Sequence, residues 1–225
     1  MDPDVLRRAP LFQGLASESA AELARAMSTV RLDRGGVLFH EGDTDDRLYV
    51  VVSGKVKLGR RGTAGRENLI AVLGPGQMFG ELSLFDPGPR SSTATAVTPA
   101  EIRCLEHDEL MKSLTHHPEV AQGLLAQLAG RLRRANDVVA DLVFSDVPGR
   151  VAKALLDLAS RFGEESSEGV NVHHDLTQEE LAQLVGASRE TVNKALADFA
   201  TRGWIRLEPR SVTILDVGRV ERRAR

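Results

Sequence analysis

The chain has 225 residues, a formal net charge of -3, and 42% hydrophobic and 27% charged residues. That length accommodates two domains with separate cores, and no apolar run reaches the length of a membrane span, so a soluble, cytoplasmic protein with no membrane partner is expected. One cysteine, Cys104, excludes an intrachain disulfide and a Cys-ligated zinc or iron–sulfur site.

From the N-terminus, Met1-Asp2-Pro3-Asp4 lacks a basic and then apolar leader. Short helices are expected near Val5-Leu6 and over Glu18–Met27, where Leu15, Ala20, Leu23 and Met27 lie near one face. From Val30 to about Glu106 short apolar runs alternate with glycine turns: Val37–Phe39, Arg47–Val52, Lys55–Arg60, Leu69–Leu73, Thr93–Val97 and Ile102–Leu105. Such spacing predicts a small sandwich or barrel-like roll.

Within the roll, Phe79–Ser92 carries chemistry. Gly80 lets the backbone approach a ligand closely. Glu81 to Phe85 can form one helical turn around Leu82, with free N–H groups that attract an anion. Arg90 supplies positive charge, Ser91 a hydroxyl, and Glu81 an acceptor for a sugar hydroxyl. Together they describe a pocket for a phosphate attached to a ribose. The plainer alternative is a turn in which Glu81 pairs with Arg90.

A long helix is expected from Pro118 to about Phe144, with Leu125, Leu128, Leu132, Ala135, Val139 and Leu142 in alternating steps of three and four. That is a coiled-coil seam and predicts a homodimer; a helix buried along its own domain is the alternative. Ser145–Gly149 reads as a hinge, followed by a helix over Arg150–Phe162 and a polar loop over Gly163–Gly169.

The next stretch reads as a helix-turn-helix. Thr177 and Glu180 have capping-box spacing, with Gln178 opening the first helix. Gly186 suits a turn with positive φ. Ser188 then caps a second helix that presents Arg189, Glu190, Thr191 and Lys194, apart from an apolar side of Val192, Ala195, Leu196 and Phe199. This arrangement places Arg189, Glu190 and Lys194 against base-pair edges in a major groove of double-stranded DNA. A helical hairpin buried in an ordinary core is the alternative. Gly203–Leu215 reads as a hairpin, which completes a winged helix. Net acidity weighs mildly against DNA binding, but local field governs phosphate attraction and arginines gather at Arg131–Arg134, Arg202–Arg210 and Arg219–Arg225.

With these pieces in order, the whole chain resembles the cyclic AMP receptor branch of the CRP/FNR regulator superfamily. Phe79–Phe85, Arg90-Ser91, Asp146–Val151 and Val185–Val192 carry the resemblance. It implies an α+β protein: a cyclic-nucleotide-binding β-roll, jelly-roll-like, over 1–117; a dimerisation helix over 118–145; a hinge over 146–149; and a winged helix-turn-helix over 150–225. It implies cyclic AMP as allosteric effector, ahead of cyclic GMP, and no metal. Gly80, Glu81, Leu82, Arg90 and Ser91 match the phosphate-binding cassette, with Arg90 and Ser91 on the cyclic phosphate and Glu81 on the ribose 2′-hydroxyl.

The base-reading positions, commonly Thr then Ser, fall at Ala135 and Asn136 here, and Ala135 has no hydrogen-bonding side chain. Arg189 and Glu190 match the base-reading pair, and Lys194 stands where the third reader is usually Arg, which implies TGTGA-like palindromes. By the same resemblance the Gly163–Gly169 loop is a surface for RNA polymerase. A constitutive or architectural DNA-binding dimer with a vestigial pocket is the competing function. A nucleotide-sensing module acting through protein contacts is a third. No nucleophile–base pair points to an enzyme. The His116-His117 and His173-His174 pairs and the arginine tail read as solvated surface, the tail as a disordered end. Cys104 and Trp204 read as packing residues.

Overall fold

A computed structural model describes residues 9–12, 15–62, 67–86 and 88–225. The helix expected at Val5-Leu6, most of the Gly62–Gly65 turn, and Pro87 lie outside the described residues. The described residues form two compact units, one of those before residue 63 with those of Ala71–Arg134, the other of Glu67–Ile70 with Ala135–Arg225.

The first unit opens with a 3-10 turn at Pro10–Phe12 and helix α1 (Ser17–Ala26). Strands β1 (Ser28–Leu32), β2 (Val37–Phe39), β3 (Leu48–Ser53), β4 (Val56–Arg61), β5 (Glu67–Leu73) and β6 (Met78–Phe79) come after it. Helix α2 (Leu82–Phe85) precedes β7 (Thr93–Ala96) and β8 (Ala100–Leu105). They make two four-stranded sheets, ordered β1-β8-β3-β6 and β2-β7-β4-β5.

The run Leu48-Tyr49-Val50-Val51 is buried throughout because both faces of its sheet are covered. Tyr49 and Val51 meet Phe39, Phe79, Ile102 and Cys104 inside the roll. Leu48 and Val50 point the other way, to Leu23, Leu105, Leu110, Val120 and Leu124. Those partners come from α1, β8, α3 (His107–His116) and α4 (Pro118–Phe144). Sequence reading missed α3. Its buried contacts, Leu110 and Ser113, are too sparse to show a clear apolar stripe.

The face of α4 turns from core to solvent along its length. Val120 and Leu124 are buried, whereas Leu125, Leu132, Val138, Val139, Leu142, Val143 and Phe144 are exposed. Leu128 is half-buried and Ala135 exposed.

In the second unit the helix expected from Arg150 begins at Val147: α5 spans Val147–Phe162. Asp146 caps it, accepting from the Gly149 N–H at 2.9 Å. Pro148 sits in its first turn, where proline needs no hydrogen-bond partner, so Pro-Gly starts this helix rather than breaking it. Arg150 braces this start from two sides, donating to the carbonyls of Ser145 (2.9 Å) and Val185 (3.2 Å).

The polar loop expected over Gly163–Gly169 is instead a hairpin, β9 (Gly163–Ser166) and β10 (Gly169–Val172). Its exposed, glutamate-rich outer strand lacks the alternation that marks a strand, and its pairing with β10 holds it. Helices α6 (Gln178–Val185) and α7 (Arg189–Thr201) come next, then β11 (Ile205–Glu208) and β12 (Ser211–Ile214), giving a sheet ordered β11-β12-β10-β9. The arginine tail is not disordered: α8 (Val217–Arg223) is capped by Asp216 and anchored by the buried Val220. His174 is also buried, its Nδ1 accepting from the Leu176 N–H at 3.1 Å, while His173 is exposed. Trp204 packs on Phe199, with ring centroids 5.3 Å apart. The α+β architecture read from the sequence is the one adopted.

No helix among the described residues is long and apolar enough to cross a membrane.

Candidate functional site

The first site is built where β6 ends. Tyr49 on β3 pairs with Phe79 on β6, so the chain leaves the sheet beside Tyr49 and turns at Gly80. Gly80 has φ +87°. A Cβ there would lie 2.8 Å from both the Arg47 carbonyl oxygen and Arg90 Nη1. Only glycine fits a positive φ with backbone and guanidinium so close. Gly80→Ala is therefore expected to destabilise the roll by about 1–3 kcal/mol and to weaken ligand binding, checked by thermal melting with and without cyclic AMP.

Arg90 and Glu81, paired with each other in the plainer sequence reading, have separate partners. Arg90 is buried, its side chain 3% exposed. Its Nη1 donates to the Gly80 carbonyl (2.9 Å) and Ser83 Oγ (2.8 Å). Its Nη2 donates to the Arg47 carbonyl (2.8 Å) and to Asp45 Oδ2 (2.7 Å). The guanidinium lies over Phe39, 4.5 Å from the ring centroid. Arg90 Nε has no hydrogen-bond partner although buried.

Glu81 is fully buried, its Oε1 accepting from Arg131 Nη1 on α4 at 2.5 Å. Arg131 Nη2 donates to the Met78 carbonyl. Burial lowers the Arg131 pKa, and the Glu81 charge opposes that shift. Glu81 Oε2 is buried and unpartnered. A buried carboxylate oxygen and a buried N–H without partners are costly. They are the groups that a ribose hydroxyl and a phosphate would satisfy, so these residues fit a cyclic nucleotide. Leu82 and Ser91 are exposed at the edge of the site.

Asp45 and Arg131 were missed as site residues. Asp45 lies within the acidic Asp43–Asp46 run, and Arg131 within the basic Arg131–Arg134 cluster. The available signal was that a buried Arg90 and a buried Glu81 each require a counter-ion. Burial alone would raise the Asp45 pKa. Hydrogen bonds from Tyr49, Arg90 and the Arg47 N–H outweigh it and hold the carboxyl below its usual range. The Tyr49 hydroxyl, donating to Asp45 Oδ2 at 2.5 Å, is pushed up by burial first and by Asp45 next. Ala135 and Asn136, the expected base readers, are exposed one turn further along α4 from Arg131.

The second site lies on α6 and α7. Thr177 and Glu180 form a complete capping box: the Glu180 N–H donates to Thr177 Oγ1 (3.2 Å) and the Thr177 N–H to Glu180 Oε2 (2.7 Å). Gly186 closes α6 at φ +70°. Ser188 caps α7, accepting from the Thr191 N–H at 3.2 Å, and the two hydroxyls lie 2.8 Å apart. Ser188 and Thr191 are thus engaged in the cap, which orients the first turn of α7. Arg189, Glu190, Lys194 and Gln178 are exposed. Val192, Ala195, Leu196 and Phe199 are buried on the opposite side against α5 and the wing sheet. The two sides of α7 are therefore distinct, as a recognition helix requires and a core hairpin does not.

Comparison with known proteins matches both parts of the chain to described families. The family description "Cyclic nucleotide-binding domain" matches residues 29–117, and "Crp-like helix-turn-helix domain" matches residues 149–223. The chain is 56% identical over 222 residues to the CRP-like cAMP-activated global transcriptional regulator of Mycobacterium tuberculosis, covering 99% of each. It is 39% identical over 217 residues to the cyclic AMP receptor protein of Thermus thermophilus, covering 96% of this chain and 97% of that one. Among solved structures it is similar to the catabolite activator protein of Thermus thermophilus, with TM-score 0.57 and 38% identity over 96% of this chain and 98% of the other. Relatives of this identity and coverage, joined to a cassette and a helix-turn-helix in one chain, make the protein a member of the CRP/FNR family of transcription regulators, in its cyclic AMP receptor branch, and not an enzyme.

Proposed function

We propose that the chain is a cytoplasmic, cyclic-AMP-responsive regulator that binds TGTGA-like palindromes as a homodimer. The observation that carries this reading is the solvent-facing Arg189, Glu190 and Lys194 at the start of a capped helix whose opposite side is buried. Arginine suits guanine O6 and N7, and a carboxylate suits the cytosine amino group. Two such helices reach successive major grooves only when about 34 Å apart, a spacing taken from helix-turn-helix dimers as a class.

The exposed apolar residues of α4 from Leu125 to Phe144 supply a surface for the second copy. The domain plan is then a roll over 1–117, a dimerisation helix over 118–145, a hinge over 146–149 that takes in the first turn of α5, and a DNA-binding domain over 150–225. Gly80, Glu81, Arg90 and Ser91 hold the cyclic phosphate and ribose. Asn136 stands as the remaining polar base reader beside Ala135. The names of the Mycobacterium tuberculosis and Thermus thermophilus relatives favour cyclic AMP over cyclic GMP. The acidic tip of the β9–β10 hairpin is the surface offered to RNA polymerase. Ligand and DNA are coupled through their differential affinities for two states of the dimer.

Operator affinity measured across a cyclic AMP series at fixed salt tests the reading. Affinity should rise with the nucleotide, and cyclic AMP should bind tighter in the presence of operator. A flat series would leave a constitutive DNA-binding dimer. Arg189→Ala should cost about 1–3 kcal/mol on the specific site and relax base preference there. An equal loss on every duplex would make Arg189 a phosphate contact instead.

A further inference from the structure

The Asp43–Asp45 loop is fastened to the cassette by the backbone. The Gly42 N–H donates to the Arg90 carbonyl and the Arg90 N–H to the Asp43 carbonyl, each at 2.8 Å. This pairing delivers the Asp45 carboxylate to the Arg90 guanidinium, 2.7 Å away, with only 12% of the Asp45 side chain exposed. The contact is held from two further directions, by the Tyr49 hydroxyl on Oδ2 and by the Arg47 side chain on Oδ1 at 3.0 Å.

A guanidinium has five N–H donors. In Arg90 both Nη1 donors and both Nη2 donors are engaged by protein, and only Nε–H is without a partner. A phosphate is best held by two parallel N–H donors. Nε–H and one Nη2 donor make such a fork, and the Nη2 group is the one that Asp45 engages. A phosphate brought to that fork also meets a carboxylate of like charge at a buried position, where repulsion is poorly screened. Asp45 has somewhere to go: with Thr44, Arg47 and Tyr49 it borders an open cleft of about 440 Å³.

We propose that Asp45 is an affinity-setting residue: an internal carboxylate that neutralises Arg90 in the unliganded chain and must surrender it to the phosphate of the effector. The inference rests on the reading of the cassette as a cyclic nucleotide site. In the unliganded chain Asp45 stabilises a buried charge, and in the liganded chain the phosphate takes over that task. Every part of the Asp45–Arg90 attraction is therefore subtracted from the apparent affinity for nucleotide.

The test is calorimetric titration of the full chain with cyclic AMP for wild type, Asp45→Ala, Asp45→Asn and Tyr49→Phe. Asp45→Ala should bind cyclic AMP about tenfold more tightly, the effect of removing one competing charge-assisted bond. It should also melt at lower temperature without ligand and gain more from ligand than wild type does. Asp45→Asn, which keeps the shape and loses the charge, should tighten binding in the same direction. Tyr49→Phe, which removes only the hydroxyl restraint on Asp45, should tighten it less. If Asp45→Ala fails to fold, Asp45→Asn and Tyr49→Phe carry the test. Equal or weaker binding by the Asp45 variants, with wild type binding normally, would overturn the proposal and make Asp45 a residue that merely positions Arg90. Absence of cyclic AMP binding in wild type and all variants would instead remove the nucleotide reading, and the role of Asp45 with it.

Discussion

Replacing Arg90 by alanine is expected to weaken cyclic AMP binding by about a hundredfold or more, ~3 kcal/mol, because a buried charge-assisted phosphate contact is lost. The same change should destabilise the unliganded roll. It strips the Gly80 and Arg47 carbonyls of their guanidinium donors and leaves the mostly buried Asp45 carboxylate with the more exposed Arg47 as its remaining cation. The two effects separate in a double-mutant cycle. Arg90→Ala with Asp45→Ala should recover much of the lost stability, since no under-compensated carboxylate remains, yet should not recover nucleotide binding. Thermal melting and calorimetry on the four proteins give both readouts. Undiminished binding by Arg90→Ala would remove Arg90 from the ligand site.

The second large effect lies in the DNA-binding unit. Phe199 is 1% exposed on α7 and belongs to the same core as Leu155, Leu158, Val192, Leu196 and Ile214. Phe199→Ala should cost about 3–5 kcal/mol in urea unfolding of that unit, as large-to-small changes in a packed core do. Because the carbonyl of Phe199 also receives the Trp204 N–H, and the two rings are in contact, the wing base loosens with the helix. Operator binding should therefore fall along with stability, even though Phe199 is buried in the core. A cost below about 1 kcal/mol would mean that the core closes over the missing ring. Loss of operator binding without loss of stability would point to a direct DNA role for Phe199, which its burial opposes.

Much of the second site was legible in the sequence, and the reason is local. A capping box, a glycine at positive φ and a serine cap act within a few residues of one another, so Thr177, Gly186 and Ser188 could be assigned from spacing alone. Most strands of the roll were legible for a similar reason, since glycine turns punctuate short apolar runs, whereas β1 and the two-residue β6 were not read from the sequence. What escaped was held by long-range pairing. The outer strand β9 carries no apolar pattern and exists because β10 pairs with it. Helix α8 looked like a charged end because Val220 is its one buried apolar residue, and its pairing of Arg223 with Asp146 spans 77 positions.

The cassette shows the division most clearly. Its residue types, a glycine before a glutamate, then an arginine and a serine, are set by the linear order of the chain, and so is the family to which they point. Which charges face each other is not. Arg90 lies 45 positions from Asp45, and Arg131 lies 50 from Glu81. Only the folding of the roll, with the Asp43 backbone fastened to Arg90 and α4 laid where Arg131 meets β6, puts Asp45 on Arg90 and Arg131 on Glu81. Buried charges must find partners, and burial is a property of the tertiary structure rather than of the residues one by one.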